Sequence, residues 1–326
     1  MRGCDILAAA PRWGRRLAFG LAGLLAAAGA QAADPTPQSL AAAGLLTLPE
    51  PCTVSREELF QAAPDENVWV SDLADGVWLA IALCEHHAYQ STEVALRIEE
   101  RDGALTSTLL AFPVWREGEQ TPWPYIAFQP WLTGLASEVS ERRISLVYKG
   151  RGIGDCGEHV AYDLTGPVVR IAEYRAKFEC DGDWVEPDTW PLVPRQVLDD
   201  HAPVHTDRMA GELLSAVMLR WPRVDWMGHA IARGDLDGGG VEEQWIGGYS
   251  RNWDTELTNY HLVRLQEGTL RAWDIPVAND TQYALCQPAA SLAFEDPATL
   301  AIDDGLCDRV RVGWDAAADT ITLDRR

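Results

Sequence analysis

The sequence predicts a β-rich α+β fold, with mostly antiparallel sheets, few short helices and disulfides that stabilise it. Three observations point there. Most apolar segments are short, rich in β-branched and aromatic residues, and bounded by Gly, Pro or Asp. Only two stretches have helical apolar spacing. The chain also carries cysteines in a number and context that suit cross-linking.

The context comes from the first residues. Arg12, Arg15 and Arg16 precede the apolar run LAFGLAGLLAAAGA, which ends in Ala30-Gln31-Ala32, a small-x-small cleavage pattern. Residues 1–32 therefore read as a secretory signal peptide, with a periplasmic or secreted product. The run is too short for a membrane span, and no later segment is long enough for one. Residues 33–49, beginning ADPTPQSLAAAG, read as a flexible lead-in. The whole chain has a formal charge of −22; removing the leader's +3 leaves −25. Such an acidic surface excludes nucleic acid and anionic lipid as partners and suits solubility or a basic exported partner.

Setting aside Cys4 in the leader leaves Cys52, Cys84, Cys156, Cys180, Cys286 and Cys307. Six cysteines allow about 15 connectivities. The sequential pairing Cys52–Cys84, Cys156–Cys180 and Cys286–Cys307 is the most economical. The absence of any C-x-x-C argues against zinc.

Two modules are expected, at 50–200 and 201–326, meeting in the proline-rich segment 184–206. In the first, SREELFQAA (55–63) is a short helix with Ser55 and Glu58 as a capping box. VWVSDL and GVWLAIALC read as strands. TEVALRIEE, the turn RDGA and LTSTLLAFPVW form a hairpin. EGEQTPWPYIAFQPW, rich in proline and aromatics, reads as a packed loop. ISLVYKG is a strand, and EHVAYDL with VVRIAEYRAKFEC is a second hairpin. In the second module, Leu213, Leu214, Val217, Met218 and Trp221 share one helical face over 207–221, ended by Trp221-Pro222. Strands return with WMGHAIARGDLDG, VEEQWIGGYS, NYHLVRLQEGTLRAWDIPV, RVRVGWD and TITLD.

The stretch GRGIGDCGEHV satisfies G-x-G-x-x-G, but a dinucleotide fingerprint needs a helix after the glycines. EHVAYDL is a strand instead, and Asp155 would sit badly against phosphate. The glycines are better explained as a tight corner where Cys156 meets Cys180 across the following hairpin, with Asp155 capping turn amides. No cofactor is expected.

This G-x-G-D-C-G element, together with C-D-G at 180–182 and Trp190-Pro191, resembles an exported bacterial family, domain of unknown function 1176, over roughly residues 50–200. The resemblance implies an exported six-cysteine protein and supplies neither an activity nor catalytic residues.

Other stretches carry chemistry. In GDLDGGGVEE, Asp235 and Asp237 fill positions 1 and 3 of a calcium-type loop and Glu243 position 9, but Gly239 replaces the third carboxylate. Weak Ca²⁺ binding is weighed there against a bare acidic turn. Asp199, Asp200, His201, His205 and Asp207 cluster in the linker as polar surface residues. His86 and His87 would face opposite sides of a strand. Trp115, Trp123, Tyr125 and Trp131 could stack a carbohydrate or peptide, or fill a core under a loop. There is no G-x-S-x-G, H-E-x-x-H or P-loop. The sequence thus favours a non-catalytic binding, interaction or structural module of the envelope. The alternatives are a secreted hydrolase using carboxylates and a calcium-stabilised structural protein; the partner remains unknown.

Overall fold

Apolar alternation on both faces makes the strands long and central. In the computed structural model, strands β1 (Val68–Ala74), β2 (Val77–His86), β3 (Ser91–Arg101), β4 (Ala104–Leu109) and β5 (Phe112–Arg116) follow one another. Next come β6 (Tyr125–Gln129), β7 (Trp131–Ser140), β8 (Arg143–Lys149), β9 (Gly157–Asp163) and β10 (Arg170–Lys177). The second half holds β11 (Asp225–Gly234), β12 (Glu243–Arg251), β13 (Thr258–Gln266) and β14 (Thr269–Val277). β15 (Ser291–Asp296), β16 (Thr299–Asp303), β17 (Val310–Asp315) and β18 (Thr320–Arg325) close the chain. Among the described residues the helices are α1 (Pro37–Ala42), α2 (Arg195–Asp200) and α3 (Arg208–Arg220), with a 3₁₀ turn at Pro187–Thr189. The structure describes residues 34–50, 52, 67–88, 90–116, 125–140, 142–200, 202–251, 258–277, 290–303 and 309–325. The leader, the helix expected at 55–63, Trp123, His201 and the Cys286–Cys307 pair lie outside them.

One sheet runs β1-β2-β3-β7-β8-β9-β10, with β4 also on β3. A second runs β14-β13-β12-β11-β6-β5, and a third runs β15-β16-β17-β18. Among the described residues, all strand pairs are antiparallel. The Asp102-Gly103 turn has φ of 52° and 78°, as an Asp-Gly hairpin turn requires.

Strand periodicity divides the side chains of β2 between two cores. Ala80 and Ala82 face a cluster with Leu96, Phe128 and Trp226, onto which α3 lays Leu213, Leu214, Val217 and Met218. Leu79 and Ile81 face a second cluster with Phe112, Tyr162 and Tyr174. A third joins Trp245, Tyr260 and Leu262 to Leu300 and Val312 of the last sheet. Each fully buried aliphatic side chain of α3 contributes roughly 1.5–3 kcal/mol. Asp207 caps α3 through Ala210 N–H at 3.1 Å.

Four expectations change. The lead-in is not free: Thr36 and Ser39 form a capping box that starts α1, and Leu40 and Leu46 are buried in the first cluster. The proline- and aromatic-rich loop gives way to strand from Tyr125 onward, because β6 is held between β5 and β11. The linker at 184–206 is docked: Val193 N–H donates to Tyr174 O at 2.9 Å, Ala176 N–H donates to Pro191 O at 3.0 Å, and Trp190 is buried. The sheet memberships also cross residue 200, since β5 and β6 extend the sheet of β11–β14, and Pro35–Arg326 forms one compact unit.

Two of the expected disulfides are formed. Cys52–Cys84 and Cys156–Cys180 have Cα separations of 4.7 and 4.9 Å, within the range a bridge needs. Among the described residues no helix is long and apolar enough to cross a membrane.

Candidate functional site

Pro130 is a bend between β6 and β7, and the chain changes sheets there. Gln129 ends a strand of the second sheet; Trp131 begins one of the first. The sheets diverge at this switch and leave a cleft of about 320 Å³. Its walls include Trp115 and Arg116 of β5, Gln129, Trp131 and Thr133 of the switch, Tyr148 of β8, and Glu158 and Tyr162 of β9.

The floor is aromatic and rigid. Phe112 meets Tyr162 edge-on with ring centroids 5.2 Å apart, and Trp115 lies 6.0 Å from Tyr174. Burial first, and then the negative charge of Glu158, push the Tyr174 phenol far above its ordinary pKa, so it stays a donor. Trp115 is 8% exposed, and its indole N–H has no hydrogen-bond partner among the described residues. Arg116 is braced from behind. Its guanidinium donates to Gln129 Oε1 at 3.0 Å and to Asp225 Oδ1 at 3.2 Å. Tyr125 donates to the other oxygen of Asp225 at 3.2 Å, so it buttresses Arg116 and does not line the cleft.

Thr133 and Tyr148 also line a second, more open recess of about 610 Å³ that continues the first. Its other residues are His87, Ala88, Gln90, Lys149, Gly150, Arg151 and Gly152. Tyr148, 41% exposed, stands between the two. A hydrogen-bonded row crosses the base: His87 Nε2 to Thr92 Oγ1 at 2.9 Å, and Thr92 Oγ1 to Thr133 Oγ1 at 3.0 Å.

The glycine corner forms the rim of this recess. Gly157 has φ of 144°, and a Cβ there would collide with the Tyr148 carbonyl, so only glycine lets β9 close on β8. Asp155 is fully buried. Arg151 grips both of its carboxylate oxygens, with Nε to Oδ1 at 2.6 Å, and Gly182 N–H donates to Oδ2 at 2.7 Å. Arg151 also donates to Cys180 O at 3.1 Å. These contacts, Arg151 first, hold the Asp155 carboxyl well below the usual range. Asp155 therefore ties together the two loops that the disulfide joins, and it presents no free carboxylate to the recess.

The 234–243 loop is built on the same chemistry. Arg264 of β13 donates to Asp237 Oδ2 at 2.9 Å and to Glu243 Oε1 at 2.6 Å. Leu236 N–H and the Trp245 indole donate to Glu243 Oε2 at 2.9 and 3.0 Å. Gly240 N–H caps Asp235 Oδ2 at 2.8 Å, and Gly239 N–H caps Asp237 Oδ1 at 2.8 Å. A guanidinium thus stands where a calcium-type loop would hold its cation. Among the described residues, no group of three or more His, Cys, Asp or Glu is placed to hold a metal ion. In the former linker, Asp207 is gripped by Arg233 at 2.5 and 2.7 Å, and Asp199 pairs with Arg195 at 2.9 Å.

The binding candidates singled out in the sequence therefore part company. Trp115 and Trp131 share the cleft, Tyr125 supports it from behind, and Asp155 belongs to the neighbouring corner. Glu158, Tyr148 and Arg116 carry the cleft's polarity, and no motif announces them. Glu158 follows the last corner glycine, and Tyr148 precedes the first by two residues, which was the available signal.

A family model described as a protein of unknown function (DUF1176) matches residues 25–196. An uncharacterized protein of Escherichia coli strain K12, YpfG, is 25% identical over 124 residues, covering 38% of this chain and 34% of that protein. The match thus spans about a third of that relative's length. No solved structure matches the chain. The cleft walls from β5 to β9 and the corner with Asp155, Cys156 and Cys180 all fall inside the matched residues, and the chain belongs to the DUF1176 family.

Proposed function

We propose that this is an exported envelope protein that binds a glycan chain in the groove formed by the cleft and its neighbouring recess. The observation that carries the reading is the convergence of Trp115 and Trp131, from two different sheets, on one cleft where polar Arg116, Gln129, Thr133 and Glu158 alternate with aliphatic wall residues. Sugar rings offer apolar C–H faces for indole stacking and hydroxyls for side-chain hydrogen bonds. Gln129, Thr133 and Glu158 supply donors and acceptors, and exposed Tyr148 extends the stacking surface into the recess. Lys149 brings a cation to that end of an otherwise acidic chain, suiting a glycan with a carboxylate substituent there. Among the described cleft-lining residues, Glu158 is the one carboxylate. Glycoside cleavage commonly uses a pair, so binding without turnover is the reading for this groove. Export rests on the leader pattern of residues 1–32 and on the two disulfides, which persist in oxidising compartments.

The test is calorimetry and tryptophan fluorescence with chito-oligosaccharides on the processed protein. Saturable binding is expected, weakened roughly tenfold in Trp131→Ala, the effect of losing about 1.4 kcal/mol of stacking. Absence of binding, or equal binding by Trp131→Ala, contradicts the reading.

A further inference from the structure

Outside the residues that the family model matches, three neighbouring strands bring together a serine, a histidine and an aspartate. In the register of β12, β13 and β14, His261 lies opposite Gly248 on one side and Asp274 on the other. Ser250 is two residues beyond Gly248, so it shares the face of His261. The side chains connect in order: Ser250 Oγ is 2.6 Å from His261 Nε2, and His261 Nδ1 is 2.6 Å from Asp274 Oδ1. An ionised carboxylate can only accept, so Nδ1 carries the proton. The neutral ring then has its lone pair on Nε2, and the Ser250 hydroxyl donates to it. The Trp226 indole fixes the imidazole from the side, with centroids 6.5 Å apart. It fits there because Gly248 has no side chain; a Cβ at that position would collide with the Trp226 ring.

We propose that Ser250, His261 and Asp274 form a nucleophilic site for acyl transfer from esters, independent of the groove. Ser250 Oγ attacks the ester carbonyl carbon while its proton passes to His261 Nε2. The carbonyl C–O bond then breaks, and the departing alcohol takes that proton. Water attacks the acyl-serine, with His261 accepting its proton, and releases the carboxylic acid and the free serine. Asp274 is a positioning residue that holds the ring tautomer.

Its setting selects the substrate. Asp274 is 64% exposed, so water screens its charge and it supports the imidazolium weakly. That suits an ester, whose alkoxide leaves more readily than the nitrogen of an amide. Ser250 lines neither the cleft nor the adjoining recess, so recognition falls to a small acyl group such as acetyl.

The experiment uses the processed protein, a fluorophosphonate probe and peptide mass spectrometry, with p-nitrophenyl acetate for turnover. The expected result is a single adduct on Ser250, absent from Ser250→Ala and formed at least 100-fold more slowly by His261→Gln. Asp274→Asn is expected to slow labelling about tenfold at an unchanged melting temperature, with partial rescue in Asp274→Glu. Trp131→Ala is expected to label normally. An unlabelled Ser250 in folded wild-type protein, or a labelling rate that His261→Gln leaves unchanged, overturns the proposal.

Discussion

The glycine corner at 150–157 and the acidic loop at 234–243 have similar local sequences and different energetics. Each is a glycine-rich turn that carries aspartate, and in each an arginine takes up the carboxylates. At the corner the arginine is four residues from its aspartate and 44% exposed, so the clamp is wetted from one side and a disulfide shares the load. In the loop the arginine comes from another strand and is 5% exposed. It lies 4.6 Å from the Trp314 centroid and 5.9 Å from that of Trp245, against the fully buried Glu243. The turn sequence sets the backbone in both places, while the tertiary partner decides what the carboxylates do.

The loop should be the more sensitive to loss of its arginine. Arg264→Met leaves the Glu243 charge buried without its ion-pair partner, and denaturant unfolding is expected to show a loss of about 3–5 kcal/mol. Stability within 1 kcal/mol of wild type would break the contrast. At the corner, the Cys156→Ala, Cys180→Ala double variant removes a bridge between residues 24 apart in sequence. That should cost about 3 kcal/mol in the same measurement.

Acid sharpens the comparison with the smallest effect. Asp155 has a folded pKa below its unfolded value of about 4. Its contribution is therefore present above that value and lost as pH falls through the folded one. Burial pushes Glu243 the other way, against the pull of its donors, so its contribution grows as pH falls toward the ordinary carboxylate range. Melting temperature against pH should flatten on its acid limb in Asp155→Asn and steepen in Glu243→Gln. Identical slopes in the two variants would contradict the assignment.

The strands were legible because alternation is local, and α3 was legible because its apolar stripe and Asp207 cap are local too. The span 125–131 was not: Pro130 interrupts two strands that belong to different sheets, and punctuation of that kind resembles a loop. The linker looked free because its prolines read as punctuation, yet it folds back onto the edge of the strand just before it, β10. The same holds for chemistry. Trp115 and Trp131 could be singled out by type, but Glu158 joins them only through sheet order. Arg264 lies 27 residues from Asp237 and 21 from Glu243, and no motif announces it. Ser250, His261 and Asp274 are spaced by 11 and 13 residues, meaningful only once the register of three strands is fixed.

The central claim is that the groove at the sheet switch is where this protein meets its ligand. Its most direct test is an NMR titration of the processed protein with chito-oligosaccharide, read at the tryptophan indoles and the backbone amides. The account predicts saturable shifts at Trp115, Trp131, Thr133 and Tyr148, with the 234–243 loop unmoved. Shifts centred on that loop, or no shifts at the groove, would contradict it.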